Sequence, residues 1–371
     1  MSLPAVILVG GQGTRLLPLT ERTRKDMLPV VDRPLLAYTF EHLRRHGVRR
    51  GIVSCGYLPT QIRDHFGSAY GDLALDYEVE DAPLGTGGAI GFAARNLGET
   101  FFALNGDSLR EADLDALLAF HRSTGARATI LLTPVSDPSS YGLVRLAADG
   151  RVTSFLEKPR PDEIDTNLIN AGLYVLEPSV LELIPQGRAV SIEREVFPQL
   201  CAEGSVYGLS LPGYWLDVGN PTAYLQGQHD VLERRFQTEV GDALGRDFTL
   251  VAESARVDPG ARLVPPVYVG EGAQIGEGAV VGSLAAVGAR AVVGAGSVVE
   301  SSVIGAAAVV GAGAVVNGSI LGEGAELGDG CRVLGLTVVG PGARVAAGNT
   351  LDHGLRLAAD VEVPAKAISF P

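Results

Sequence analysis

From Val257 onward the chain repeats itself every six residues: VDPGAR, LVPPVY, VGEGAQ, IGEGAV, VGSLAA, VGARAV, VGAGSV. A β-branched residue or Leu stands first, Gly usually second, and a small residue fifth. Helical periodicity is lost here, and a triangular solenoid meets the pattern. The first position points into a narrow core, and Gly or a small residue permits each tight corner. Two steps, beginning at Val299 and Val316, are one residue short before the phase resumes as LGEGAE and LGDGCR. The expected fold is a left-handed parallel β-helix of about five coils with three hexads each. A low-complexity Gly/Ala tail would not hold phase over roughly ninety residues.

The chain before this repeat follows a different grammar. AVILVG, GIVSCG and FFALNGD read as buried strands, and GGAIGFAARNL reads as a helix. PLLAYTFEHLRRHG is a second helix, with Pro34 at its start, Leu35, Leu36, Tyr38, Phe40 and Leu43 as apolar positions, and Gly47 as its stop. Such alternation predicts an α/β domain with a Rossmann-like, mainly parallel mixed sheet flanked by helices. The expected organisation is a catalytic domain over 1–230, a connecting helix or linker over 231–248, and the β-helix over 249–371, with QGQHDVLERRFQTEVGD (226–242) reading as the connecting helix. Ligands of parallel sheets collect at the carboxyl ends of strands, where Gly10–Gly13 and Asn105–Asp107 fall.

Composition narrows the partners. A length of 371 residues suits two domains, and a net charge of -13 argues against a nucleic-acid partner while leaving room for a local cationic pocket. Cys55, Cys201 and Cys331 form no CxxC pair and read as buried thiols in a reducing compartment. The N-terminal residues lack a basic n-region and a signal-length apolar run, and no apolar stretch approaches ~20 residues. A cytoplasmic protein without a membrane partner is expected. Open ends and flat faces make the β-helix suited to self-association or to packing on the catalytic domain, so a homo-oligomer is expected too.

GGQGTR after a strand can wrap an anion with backbone N–H groups, and Arg15 and Lys25 add cations. Neither the GxGxxG dinucleotide fingerprint nor Walker A is matched. A solvated lysine and ordinary Asn-Gly-Asp turns are the bland readings of Lys25, Asp107 and Asp217.

LVGGQGTRLLPLTERTRKDMLPV resembles the signature of the NTP:sugar-1-phosphate nucleotidyltransferases. PLGTGGAI, LNGD, YGLV, FLEKP, INAGLYVL, SIEREVFP and YWLDVGNPTAYL follow in that family's order. The combination with hexapeptide repeats resembles its mannose-1-phosphate guanylyltransferase branch. The resemblance implies that a sugar 1-phosphate attacks the α-phosphorus of an NTP and expels pyrophosphate. It assigns Gly10, Gly11, Gln12, Gly13, Thr14, Arg15, Lys25, Glu80, Pro83, Gly85 and Thr86 to the nucleotide. It assigns Gly142, Glu157, Lys158, Asn170 and Trp215 to the sugar phosphate, and Asp107 and Asp217 to Mg²⁺. Arg15, Lys25, Asp107, Lys158 and Asp217 are the catalytic set it implies, with Glu193 a further sugar-pocket or supporting candidate.

Glu80 bears on the base. Thymidylyltransferases of the resembled family carry Gln at the matching place. Guanine presents two adjacent donors, N1–H and N2–H, and a carboxylate is acceptor-only. Glu80 therefore favours GTP, with Asp81 as the alternative if the loop is shifted. Mannose comes from the resemblance alone. Three other readings stand beside this one: a thymidylyl- or uridylyltransferase for glucose 1-phosphate, an acyltransferase in the β-helix, and a non-catalytic regulatory relative. The last draws on Arg24-Lys25-Asp26, where many relatives read Pro-Lys-Pro. Loss of the flanking prolines would leave Lys25 more mobile, and Asp26 sets a negative charge beside it.

Overall fold

The computed structural model describes residues 3–56 and 60–370. The chain forms two compact units, Met1–Gly11 with Tyr38–Trp215 and Gln12–Ala37 with Leu216–Pro371. The division is discontinuous in sequence. The boundary falls inside the glycine loop: Gly10 and Gly11 stay with the strand that precedes them, and Gln12–Ala37 belongs, by contacts, to the unit that holds the β-helix.

The first unit is built on a ten-stranded mixed sheet. Ala5–Val9 lies between Phe101–Asn105 and Arg50–Cys55, parallel to both, and Leu73–Val79 extends the parallel set. Ala5–Val9 and Phe101–Asn105 are near-continuous apolar runs, as central parallel strands covered on both faces require, whereas Leu73–Val79 alternates buried Leu73 and Leu75 with exposed Ala74 and Asp76. Leu168–Leu176 is antiparallel to Phe101–Asn105 and to Ala128–Pro134, and touches Gly142–Leu146 at Leu143 and Ile169. Its register against Ala128–Pro134 shifts between Asn170 and Tyr174. A bulge of this kind turns backbone out of the ladder and re-aims side chains.

Leu8 pairs with Asn105, and Gly106 N–H donates to the Leu8 carbonyl at 2.9 Å. The chain thus enters the glycine loop beside the Asn105–Asp107 turn, both at carboxyl ends of parallel strands. Helix Leu35–Arg45 buries each of its expected apolar positions. It also buries Thr39, Glu41 and His42, so its polar face is enclosed where amphipathic patterning implies solvent.

In the second unit the expected connecting helix is two helices, Pro221–Leu232 and Glu239–Ala243. Asn220 and Thr238 cap them, their side chains accepting from Ala223 N–H and Gly241 N–H. Such caps satisfy N–H groups that a helix start leaves unpaired.

The hexads form three parallel sheets of seven, seven and six strands, the arrangement of a left-handed β-helix. That makes six complete coils and part of a seventh among the described residues, more than the five expected. The additional strands lie at the two ends and include Thr249–Val251 before the clear repeats and Arg356–Leu357 and Glu362–Val363 after them. The short steps are real. Val281 pairs with Val299, eighteen residues on, but Val299 pairs with Val316 and Val316 with Val333, each seventeen on. First-position residues such as Val269, Ile275, Val293 and Val310 fill the core. Fifth-position Ala273, Ala279, Ala291 and Ala308 are fully buried beside them. The small fifth residue is therefore a core residue as well as a corner one.

Cys55 and Cys331 are buried free thiols, as expected, whereas Cys201 is only half-buried. No helix among the described residues is long and apolar enough to cross a membrane.

Candidate active site

The second unit carries the cationic part of the site. Three short 3₁₀ turns, Thr14–Leu16, Leu19–Glu21 and Lys25–Met27, fold the signature loop on itself. Gly13 starts the first turn at φ 63°, and its carbonyl accepts from Thr20 Oγ1 at 2.9 Å. A Cβ there would come 2.9 Å from Thr20 Cγ2 and 3.1 Å from Lys25 Cβ, so glycine is needed for both conformation and room. Gly10, Gly11 and Gln12 are exposed, and a Cβ on either glycine would meet nothing.

Lys25 is not a solvated surface lysine. Its side chain is 8% exposed, and Nζ donates to Asp217 Oδ1 at 3.2 Å. Arg15 Nη2 lies 3.7 Å from Asp217 Oδ2, and its side chain is 66% exposed. One carboxylate is thus shared by a fixed, buried ammonium and a guanidinium free to turn toward a ligand. Asp26 closes on Arg24, with Nε and Nη2 donating to its two oxygens at 3.0 and 2.9 Å. Both side chains are buried. The negative charge beside Lys25 is therefore balanced within the same tripeptide, and the buried pair stiffens the loop in place of the prolines. This removes the structural motive for reading Lys25 as loosened.

The first unit carries the residues that the sequence assigns to the base and the sugar. Glu80 is half-buried; Oε1 accepts from Ser54 Oγ at 3.1 Å and Oε2 from Leu84 N–H at 2.9 Å. The carboxylate staples the loop through Asp81 and Pro83, both exposed, and each oxygen keeps a lone pair for another donor. Helix Gly85–Ala93 begins beyond this loop, and its Gly87 and Gly88 N–H groups donate to the Val190 carbonyl. Those donors are occupied by protein and do not face an anion.

Thr86 Oγ1 donates to Glu193 Oε2 at 2.6 Å, as does Ser191 Oγ at 2.7 Å. Tyr174 Oη donates to Glu193 Oε1 at 3.4 Å and accepts from Asn170 Nδ2 at 2.8 Å. Glu193 therefore joins Thr86, through Tyr174, to Asn170. Burial, and then the Glu193 charge, raise the Glu157 carboxyl above the ordinary range, with Lys158 opposing. Glu157 pairs across the sheet with Gly142, where a Cβ would come 2.6 Å from Phe155 Cζ and 2.9 Å from Glu157 Oε2. Lys158 is exposed and adopts φ 53°, a left-handed conformation rare for a lysine.

The bulge at Asn170–Gly172 is held from several sides. Trp215 Nε1 donates to the Ala171 carbonyl at 3.0 Å, and its half-buried ring meets Tyr141 edge to face at 5.4 Å. Arg110 donates to Gly172 O at 3.1 Å and to Asn105 O at 2.7 Å. Arg110 is 3% exposed, and burial pushes its pKa down to about 10 against the pull of Asp107. It braces both the Asp107 turn and the bulge. Sequence reasoning passed over Arg110, Tyr174 and Ser191. Arg110 stands in a polar stretch, NGDSLREAD, which gives no sign in the sequence that its guanidinium is buried.

The structure thus groups Arg15, Lys25 and Asp217 in one unit, and Asp107, Glu80, Thr86, Gly142, Glu157, Lys158, Asn170, Glu193 and Trp215 in the other. A family profile described as "Nucleotidyl transferase" matches residues 4–234. The chain belongs to the nucleotidyl transferase family. A second profile, "GMPPB C-terminal domain", matches residues 263–368. A mannose-1-phosphate guanylyltransferase of Mycobacterium tuberculosis is 42% identical over 72% of this chain and 75% of its own length. Mannose-1-phosphate guanylyltransferase 1 of Arabidopsis thaliana is 36% identical over 73% of this chain and 77% of its own. Among solved structures, HddC of Yersinia pseudotuberculosis complexed with GMP-PN is similar at a TM-score of 0.53 and 30% identity, over 61% of this chain and 98% of that one. A UDP-glucose pyrophosphorylase at 21% identity shares the fold, with a TM-score of 0.56 over 63% of this chain and all of its own. The transferase is therefore an enzyme of nucleotidyl transfer with a β-helical tail.

Proposed function

We propose that this transferase makes GDP-mannose and pyrophosphate from GTP and mannose 1-phosphate, with Mg²⁺ as its divalent cation. The observation that carries the proposal is the Arg15–Lys25–Asp217 cluster, a buried ammonium and an exposed guanidinium on one carboxylate, in a chain whose relatives are named mannose-1-phosphate guanylyltransferases. A phosphate oxygen of the sugar 1-phosphate attacks the α-phosphorus of GTP. The bond from that phosphorus to the bridging oxygen breaks, and pyrophosphate leaves with the electron pair. The nucleophile is already an anion, so no protein base is required, and catalysis is positioning plus charge stabilisation.

In this scheme Lys25 and Arg15 stabilise the charge growing on pyrophosphate. Burial of Lys25 supports that role, because a pre-placed ammonium needs no reorganisation as the charge develops. Lys158 draws in the sugar phosphate, and its strained backbone aims the side chain. Glu157 accepts a sugar hydroxyl, Gly142 keeps the space beside it open, and Asn170 and Trp215 shape the wall. Gly10–Gly13 and Thr14 approach the triphosphate with backbone. Pro83, Gly85 and Thr86 frame the base, and Glu80 accepts from guanine N1–H and N2–H with its remaining lone pairs.

Asp107 and Asp217 offer carboxylate oxygens, the hard donors that a divalent cation such as Mg²⁺ prefers. We assign Mg²⁺ to these two residues. When bound, it neutralises phosphate charge and orients the phosphate oxygens.

Pyrophosphate release measured with each NTP against several sugar 1-phosphates tests the proposal. GTP with mannose 1-phosphate is expected to be fastest. Tenfold preference for dTTP or UTP would instead support a thymidylyl- or uridylyltransferase. Glu80→Gln is expected to reduce GTP selectivity, and unchanged selectivity would remove Glu80 from the base assignment.

A further inference from the structure

The signature loop is gripped by the far end of the β-helix. Arg356 Nη1 donates to the carbonyls of Arg15 at 3.1 Å and Leu17 at 3.3 Å. Ala359 N–H donates to Glu21 Oε2 at 3.0 Å, and Arg22 pairs with Asp360. Arg22 also lies over Gly342, where an added Cβ would stand 3.2 Å from its Nη1. Gly342 and Asp360 follow successive strands, Val338–Val339 and Arg356–Leu357, which pair in register. All these contacts fall inside one compact unit, which joins Gln12–Ala37 to the β-helix.

We infer that the last β-helix coils position the triphosphate clamp, with Arg356 as a positioning residue for Arg15. This rests on the proposed role of Arg15. Arg15 is held at two ends: Arg356 fixes its carbonyl, while its guanidinium reaches Asp217. Gly10 and Gly11 are exposed, with open space where a Cβ would stand. The loop's own turns and the Thr20–Gly13 bond hold it from within, and Arg356 adds a restraint from outside at the Arg15 and Leu17 carbonyls. A guanidinium shared between two carbonyls supplies a directional, charge-assisted restraint that a hydrophobic patch would not. The tail, which carries no group in the proposed chemistry, thereby takes part in the reaction by pre-organising a residue that does.

The test uses the full chain and the variants Arg356→Ala, Arg356→Lys and Asp360→Asn, with two readouts. Amide hydrogen exchange is followed over residues 14–22, and kcat and KM are measured for both substrates. Arg356→Ala is expected to speed exchange in the loop while the remaining coils keep their protection. It should lower kcat roughly tenfold with the KM for the sugar phosphate unchanged. Arg356→Lys should restore most of both, since one ammonium can still reach a carbonyl. If Arg356→Ala does not fold, Asp360→Asn at its exposed position carries the same readouts with a smaller effect. Unchanged loop exchange in the folded variants overturns the inference, as does faster exchange with unchanged kcat. If the unaltered chain transfers no nucleotide, the functional proposal fails, whereas the exchange comparison still decides whether the coil holds the loop.

Discussion

Asp26 shows how one residue changes meaning between sequence and structure. In the sequence it is an acid beside Lys25; in the fold it is the bidentate partner of Arg24, with both side chains buried. Asp26→Ala leaves a buried guanidinium without that partner and should cost about 3 kcal/mol, lowering the unfolding midpoint by several degrees. Asp26→Pro, which restores the relatives' residue, removes the same carboxylate and should destabilise similarly. Denaturant or thermal melts check both; an unchanged midpoint would show that the pair contributes little. Glu157 makes a pH prediction. Burial and Glu193 raise its pKa, so on acidification it protonates earlier than an ordinary glutamate. In the proposed scheme the charged acceptor for the sugar hydroxyl is then lost, and KM for the sugar phosphate should rise on the acid side at a pH above the usual carboxylate range. Glu193→Gln removes a raising charge and should move that limb to lower pH, which KM–pH profiles of the two enzymes would reveal.

At the scale of elements, the hexad period was legible because every coil places the same positions inward. The short steps at Val299 and Val316 were legible for the same reason, since a missing residue shifts the phase of all that follows. The outermost coils were not, because Thr249–Val251 and the strands after Thr350–Leu351 sit where glycine spacing weakens. The core is narrow enough that fifth-position alanines touch it. Ala308→Leu should therefore overpack it and cost about 1–3 kcal/mol, whereas Val309→Thr, at a site 37% exposed, should be near neutral. Comparing the two melts checks this. Helix Leu35–Arg45 was found by pattern, but its buried Glu41 and His42 were not, because periodicity reports the apolar stripe and is silent on what covers the other side. The Asn170–Gly172 bulge was also hidden, since it arises from pairing between distant strands.

At the scale of the whole molecule, domain order was readable but compact units were not. The loop Gln12–Ala37 lies within the nucleotidyl transferase match and yet belongs with the β-helix by contacts. A β-helix with open ends also offers surfaces for self-association, and we propose a homo-oligomer. Size-exclusion with light scattering at micromolar concentration should give a mass of at least twice 38.6 kDa, and a monomer at every concentration would refute it.

By itself the sequence determined the two architectures, the order of the motifs and the types of residue available for the chemistry. Strand alternation, hexad phase and glycine position act locally and leave a periodic trace. Only the tertiary structure decided which charges meet. Lys25 found Asp217, Asp26 found Arg24, Arg110 joined two turns, and Arg356 reached the carbonyl of Arg15. Apart from the Arg24–Asp26 pair, these partners stand tens to hundreds of residues apart or act through backbone atoms, and neither kind of contact writes a period into the chain.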